Sequence, residues 1–492
     1  MTGRPLRSVA VAGGGIAGWS AAAALKRRVP ALEVTILPIP PEPDALTDRI
    51  AATLPSIMGF HRDLGIGLDD AVLRTGSSYR LGTRFGGWSD RPDYVHAYGP
   101  AGRPLPTASF HLHWIREAHA GRAAPFDSFC GAAALARLGR VADPAAALPD
   151  ALAGLEYGLT LDLAGYAAML RAFASHCGVI EQPGGLRGVS LDANGWIEAL
   201  VLDDGHELRA DLYLDCTGPA ARLRSAIDAR RDDWRRWLPC DRVLFGEPAP
   251  GAEPSPLDEA NAWSAGWRWT SHGARARTQG VVYASDHASD EDAARLLDAP
   301  AGPPLPIAAG NRPEPWRGNC VAIGEAATVI EPLEWTNLHL AHSAIDRLIA
   351  MLPDADCAAV EAADYNRQAV AEAGRVRDFV ALHYAVAKRD DPFWRERATA
   401  PLPDTLAHTL ALFRERGRLP FYEEETFARD SWLAVLFGQG ELPRRVDPLV
   451  RSAPDQPARR FMTDWHAAIA AAAPSHPTLA ALLGAQYRHV LQ

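Results

Sequence analysis

The hydrophobic pattern changes period several times along the chain. In RSVAVAGGGIAGWSAAAALKRRVPALEVTILP, residues 7–38, an apolar run ends at Gly13, an Ala-rich segment follows with helical period, and Val34 to Leu37 form a second apolar run. Strand, glycine turn, helix and strand in that order predict a βαβ unit at the start. From about 80 to 200 short strands mix with helices, and LDLAGYAAMLRAFASHCG places its apolar positions on one helical face. GWIEALVLDDGHELRADLYLDCTG predicts a hairpin turning at Asp203-Asp204-Gly205 and then a buried strand from Leu212 to Cys216. The Pro/Gly-rich GEPAPGAEPSPLDEA, from Gly246, predicts a surface connection. GNCVAIGEAA reads again as strand into turn, and TNLHLAHSAIDRLIAML predicts an amphipathic helix from Thr336. After about residue 365 the pattern is helical with proline breaks, which predicts an all-α C-terminal module. No internal repeat is visible.

Composition narrows the function classes. At 492 residues the chain is too long for one simple core and can bury a large cofactor. Its 48% hydrophobic and 22% charged residues are ordinary for a globular protein and exclude disordered and fibrous classes. A net charge of -10, with no basic run, argues against nucleic acid or an anionic membrane as partner. No uninterrupted apolar stretch approaches the length of a transmembrane helix, and the N-terminus enters a strand without a hydrophobic signal region; a cytoplasmic protein is expected. The six cysteines are widely spaced with no CxxC pair, so they read as buried thiols and no metal site is expected. His111 and His113, at the spacing of one strand face, have no third ligand nearby and read as solvated or core histidines. The HRD at His61 to Asp63 has no partner motif and carries no function.

Three segments carry candidate chemistry. Gly13-x-Gly15-x-x-Gly18 allows a tight turn, close approach to a pyrophosphate and close strand-to-helix packing, while the helix beginning there, with Ala17 in its first turn, offers unpaired N–H groups to the anion. The acid expected at the end of the second strand for the ribose hydroxyls is missing: that place is Pro38, leaving Asp44 or Asp48 as substitutes. In VAIGEAATVIEPLEWTNLHLAH a strand, then Gly324-Glu325, then a loop and a helix supply a second cofactor contact. Glu325 can accept hydrogen bonds from ribityl hydroxyls, and the amides at Thr336 and Asn337 can face a flavin oxygen or a halide. An ordinary strand-loop-helix with an N-cap is the plainer account of that segment. Upstream, in GWRWTSHG, Trp267 and Trp269 stand at i and i+2 of a strand and would form one flat apolar wall; two core aromatics of a half-buried strand are the plainer account.

Taken in order, VAGGGIAGW, DLYLDCTG with WLPCDRV, GWRW with VVYASDHASDEDA, GEAATVIEPLEWTNLHL, HYAVAKRDDPFW and SWLAVLFGQGELP resemble the flavin-dependent tryptophan halogenases over nearly the whole chain. The resemblance implies an α/β fold: an FAD-binding Rossmann-like (glutathione-reductase-type) domain with an inserted mixed sheet and a C-terminal helical module. Residues 1–365 would be the FAD-binding domain, including substrate-facing insertions at about 80–200, and 366–492 a helical substrate-side module. It implies that reduced FAD, delivered by a separate reductase, meets dioxygen and chloride or bromide, and that the resulting hypohalous acid passes along an internal tunnel to an aromatic small molecule. Gly13, Gly15, Ala17, Gly18, Gly324, Glu325 and Leu338 would contact the cofactor, Thr336 and Asn337 the halide, and Trp267 and Trp269 would line the tunnel wall. Glu334 matches the glutamate that stabilises the charged ring intermediate, a role in which a preformed negative charge is strongly effective. A monomer or homodimer is expected.

The departures from the family pattern are as informative. Where the family carries its essential lysine, this chain has Arg80, whose guanidinium has no lone pair to attack halogen and can only donate hydrogen bonds. Of 50 basic residues only Lys26 and Lys388 are lysines, so the chain drifts from Lys to Arg, and neither survivor is a candidate replacement. In DRIAATLP, with Ala51 and Ala52 before Thr53, the glycine and glutamate of the flavin-strap motif before T-x-P are replaced, Ser271 and His272 replace the Ile-Pro end of the tryptophan motif, and LPFYEEETFARDSW gives no clear equivalent of the residues around an amino-acid head. A halogenase acting on an aromatic or indolic substrate is the expected function. A flavin monooxygenase that inserts oxygen directly and a turnover-deficient flavin-binding protein are the alternatives.

Overall fold

The computed structural model describes residues 3–251 and 253–490. The chain divides into two compact units, each assembled from three separate stretches. The first takes Met1–Ser77, Leu161–Asp241 and Leu305–Gly374; the second takes Ser78–Thr160, Arg242–Pro304 and Arg375–Gln492.

In the first unit the N-terminal pattern forms as read: strand Ser8–Ala12, helix Ile16–Arg28, strand Glu33–Leu37. Ser8–Ala12 pairs in parallel with Glu33–Leu37 on one side and with Leu212–Asp215 on the other, and Leu212–Asp215 pairs in parallel with Cys320–Ala322. The sheet runs Trp316–Arg317, Cys320–Ala322, Leu212–Asp215, Ser8–Ala12, Glu33–Leu37, Ile180–Glu181. Its central strands are buried on both faces, which is why they read as unbroken apolar runs. Ala10, Ala12, Leu37 and Tyr213 pack against Leu186, Ile197, Leu200 and Leu202 of a small antiparallel sheet; that sheet contains the hairpin Ile197–Leu202 with Glu207–Leu208. Helices Ile16–Arg28, Leu163–Cys177 and Asn337–Ala350 pack together in the same unit. Asp162 caps Leu163–Cys177 by accepting from the Gly165 N–H at 2.8 Å, and left-handed Gly178 ends it.

The second unit is built on a mixed sheet that runs Arg242–Phe245, Ala276–Tyr283, Gly266–His272, Leu257–Trp263, Gly82–Gly86, Tyr94–Ala97, with one parallel pairing, Leu257–Trp263 on Gly82–Gly86. Helices dominate its C-terminal stretch, among them Asp404–Arg416, Arg429–Gly438 and Asp455–Ala472. Two local expectations change. The Pro/Gly-rich segment is not purely a connection: Ala249–Pro250 pairs with Ala276–Tyr283 at the sheet edge, and its last residues already belong to strand Leu257–Trp263; Ala252 lies outside the described residues. His111 and His113 lie on helix Phe110–His119, not on a strand, because the apolar spacing of Phe110, Trp114 and Ile115 follows the helical period. Both are core histidines, the Nε2 of His111 3.0 Å from the Gly417 carbonyl oxygen and that of His113 3.1 Å from Thr107 Oγ1. Five of the six cysteines are buried and Cys177 is half-buried, all as thiols. No helix among the described residues is long and apolar enough to cross a membrane.

Candidate active site

The glycine turn has the shape a dinucleotide needs. Gly13 adopts φ +130°, a conformation L side chains rarely adopt, and a Cβ on Gly18 would collide with the Gly13 carbonyl oxygen. Helix Ile16–Arg28 starts with no side-chain cap and no acid in its first turn. A carboxylate reaches it from elsewhere in the unit: Asp48 Oδ1 accepts from the Ile16 N–H at 2.7 Å, and a Cβ on Gly15 would fall on the same carboxylate. Burial pushes the Asp48 carboxyl up while the Ile16 hydrogen bond pulls it down. Asp48, one of the two acids offered in place of the missing ribose carboxylate, thus stands at the helix N-terminus.

Glu325 is buried, and both its oxygens are engaged: Oε1 accepts from Leu46 N–H at 2.9 Å and Oε2 from Thr47 N–H at 3.1 Å. Burial pushes its carboxyl up to about 7, against the lowering effect of those two amides. Glu325 thus fastens the segment before Asp48, so its carboxylate holds protein backbone. Gly324, at φ +62°, packs on two alanines: a Cβ there would lie 3.2 Å from Ala341 Cβ and 3.8 Å from Ala17 Cβ.

Beyond that turn the backbone of PLEWTN is unusual. Glu334 and Trp335 are consecutive non-glycine residues in the left-handed region, at φ +66° and +62°, and Glu334 is 1% exposed. Such outliers persist only where surrounding structure imposes them, and they cluster at functional sites. Helix Asn337–Ala350 follows, with Thr336 as an N-cap whose side chain makes no capping bond. Thr336 Oγ1 and Asn337 Oδ1 are buried with no hydrogen-bond partner, while Asn337 Nδ2 donates to the Ile330 carbonyl at 3.1 Å. Leu338 is buried beside them in sequence. Orphaned buried polar atoms at a positive helix end, together with a glycine cradle on the same sheet, are what the flavin and phosphate ends of FAD require, so these residues fit that cofactor.

In the second unit Arg80 is fully buried. Its Nε pairs with Asp258 Oδ2, Nη1 donates to the Tyr98 hydroxyl, and Nη2 donates to Thr83 Oγ1 at 2.6 Å; the guanidinium also lies 5.2 Å from the Tyr98 ring centre. Burial alone would lower its pKa, but Asp258 and Tyr98 raise it above the ordinary arginine value. Trp267 and Trp269 share a face of strand Gly266–His272 and are buried, yet their rings are tilted by 47° at 5.9 Å, so the expected flat wall is angled. Gly280, opposite Trp269 on the next strand, leaves room for that indole: a Cβ there would collide with the ring. At the end of the same strand Ser271 is buried, and His272 Nδ1 is buried without a partner.

Sequence reading missed a second group. A cavity of about 440 Å³ in the second unit is lined by Phe421, Tyr422, Glu425, Phe427 and Trp432, all from the stretch left without an equivalent. Three aromatics and an acid within six residues of Tyr422 were the available signal. Ring contacts connect this group with Arg80: Tyr98 lies 6.0 Å from His96, His96 lies 6.2 Å from Phe427, Phe427 stacks on Phe379 at 3.8 Å, and Phe379 lies 5.1 Å from Trp432.

Comparison with known proteins bears on all of this. Residues 8–455 match the family model described as tryptophan halogenase. The 7-chloro-L-tryptophan 6-halogenase KtzR of Kutzneria sp. (strain 744) is 30% identical over 88% of this chain and 90% of its own length. Among solved structures, BrvH, a flavin-dependent halogenase from Brevundimonas sp. BAL3, superposes with a TM-score of 0.91 at 35% identity, covering 98% of this chain and 99% of its own. Xcc4156, a flavin-dependent halogenase from Xanthomonas campestris, gives 0.90 at 34% identity over 98% and 99%. The α/β architecture, its Rossmann-like sheet and its helical C-terminal stretch are those of these halogenases. The chain therefore belongs to the tryptophan halogenase family, whose members are flavin-dependent oxidoreductases that use FAD and halide.

Proposed function

We propose that the chain installs chlorine or bromine on an aromatic or indolic small molecule, drawing on FAD reduced by a separate reductase. The observation that carries this reading is Glu334, buried in a left-handed backbone immediately before a helix end with orphaned polar atoms at Thr336 and Asn337. Reduced FAD, when bound, would supply two electrons to dioxygen, which in turn would take two electrons from halide and leave an electrophilic halogen. The Thr336 and Asn337 amides, at the positive helix end, hold the halide. The Glu334 carboxylate stabilises positive charge that builds up in the aromatic ring, a preorganised contribution that is large where water is excluded. The buried indoles of Trp267 and Trp269 line one wall of the passage taken by the oxidant. Gly13, Gly15, Ala17, Gly18, Gly324 and Leu338 shape the cofactor side, and Glu325 acts there by holding the segment that ends at Asp48.

Arg80 is a positioning residue in this reading. It cannot carry halogen on nitrogen. Its fork to Asp258, Tyr98 and Thr83 instead fixes the aromatic series that leads to the cavity lined by Tyr422 and Trp432. That cavity suits a flat aromatic ring. Glu425, the acid in that lining, already accepts from Nε and Nη2 of Arg375 through Oε2, at 3.0 and 2.9 Å, and is committed to that ion pair. Indoles lacking an amino-acid head are therefore expected to outcompete free tryptophan.

The test is incubation with a flavin reductase, NADH, bromide or chloride and an indole panel, read by mass spectrometry. Halide-dependent products are expected, falling at least about 100-fold in Glu334→Gln, the scale of losing one preorganised charge-stabilising group. Absence of any halide-dependent product across the panel would overturn the reading. A halide-independent gain of one oxygen would point to direct oxygenation, the second reading, which the polar Ser271–His272 end favours.

A further inference from the structure

We propose that Asp48 is an internal counter-anion that occupies the phosphate niche of the flavin site and must leave it for FAD to bind. The inference rests on the flavin chemistry of the family and concerns a residue for which that chemistry has no evident need.

Three observations define the arrangement. The helix that should receive a pyrophosphate, Ile16–Arg28, supplies no carboxylate to its own first turn. Its Ile16 N–H is nevertheless taken, by Asp48 Oδ1 at 2.7 Å, and the same carboxylate covers Gly15, the position at which a dinucleotide-binding turn lets phosphate approach the backbone. The carboxylate is delivered by a short 3-10 turn, Leu46–Asp48, whose first two amides are both fastened by Glu325 at 2.9 and 3.1 Å. One buried acid, Glu325, thus anchors the turn, and a half-buried one, Asp48, points from it into the anion niche.

A helix N-terminus attracts negative charge whatever its source. In the arrangement described, the charge is the protein's own. A pyrophosphate and a carboxylate cannot share the Ile16 amide, and like charges placed together repel. FAD must therefore displace Asp48, and the protein carries a built-in competitor for the Ile16 amide. The departure in the strap is in the same stretch, where Ala51 and Ala52, three and four residues beyond Asp48, precede Thr53.

The experiment measures binding of FAD, ADP and riboflavin to the full chain by calorimetry, for the wild type, Asp48→Ala and Asp48→Asn, together with the melting temperature of each protein without ligand. If Asp48 competes with phosphate, Asp48→Ala binds FAD and ADP about tenfold more tightly, riboflavin binding is unchanged because it has no phosphate, and the ligand-free melting temperature drops because the Ile16 amide has lost its acceptor. Asp48→Asn keeps the shape and an acceptor oxygen while removing the charge, so it shows the same tightening should the alanine variant fold poorly. Weaker or unchanged FAD and ADP binding in both variants would overturn the proposal and make Asp48 a support of the cofactor site. Equal tightening of riboflavin would overturn it too, by placing the effect away from the phosphates. If the wild type and both variants all fail to bind FAD, the flavin reading itself fails, an outcome distinct from binding that ignores Asp48.

Discussion

Truncating Arg80 to alanine would leave Asp258 buried without its cation, and breaking a buried pair in this way costs about 3–5 kcal/mol. Arg80→Lys keeps the charge and loses part of the fork to Tyr98 and Thr83, a cost nearer 1–2 kcal/mol. Urea unfolding of the two variants should show that difference; equal and small losses would mean that the guanidinium is not the anchor of its pocket. Glu325 offers a test by acidity. Its folded carboxyl titrates at about 7 against an ordinary 4.5, so the folded state binds the proton more tightly than the unfolded chain, and stability falls as pH rises from about 4.5 through 7. The stability of the ligand-free wild type relative to Glu325→Gln should drop by about 1–3 kcal/mol between pH 5 and pH 8, measured by chemical unfolding at each pH; a flat difference would show that Glu325 does not titrate there. At this scale the sequence disclosed positions more readily than partners. Arg80 and Glu334 could be named from their motifs, but Asp258 is 178 residues from Arg80, and Asp48 is 32 from Ile16 across an intervening strand. Spacing along a chain carries no information about such pairs.

Elements were legible where the period was long and unbroken. The helix of the βαβ start and the helix after Thr336 hold one period over 13 and 14 residues, and the hairpin before Leu212 is marked by its turn residues. Ambiguity arose in short stretches: His111 and His113 alternate like a strand for three residues, while the helix that contains them declares itself only over ten. Strand Gly266–His272 was legible as a strand, but the room made for Trp269 was not, because it depends on the register that sets Gly280 opposite. Gly280→Ala would force a methyl into the indole. A loss of about 1–3 kcal/mol is expected from overpacking of this kind, visible as a lower urea midpoint. An unchanged midpoint would mean that the strand pair can shift to accommodate it.

For the molecule as a whole, the scarcity of lysine becomes an experimental handle. The Nζ of Lys26 donates to the carbonyls of Pro30 and Leu32, that of Lys388 to Gly440, and there is no third lysine. Reductive methylation of the amino groups should leave halide-dependent product formation intact; inactivation would show that an amine takes part after all. The division into units was the least legible feature, since composition and period describe neighbours in sequence and each unit is made of segments far apart in it. Six stretches alternate between the two, a weave with a consequence for biosynthesis. A ribosome must deliver Cys320–Ala322 before the parallel sheet can close, and must then make Arg429–Gly438 before the second core has its helices. The first unit is incomplete until Gly374 has been made and the second until its last stretch follows, so the nascent chain carries two open apolar surfaces for most of its synthesis, an interval in which it is exposed to aggregation.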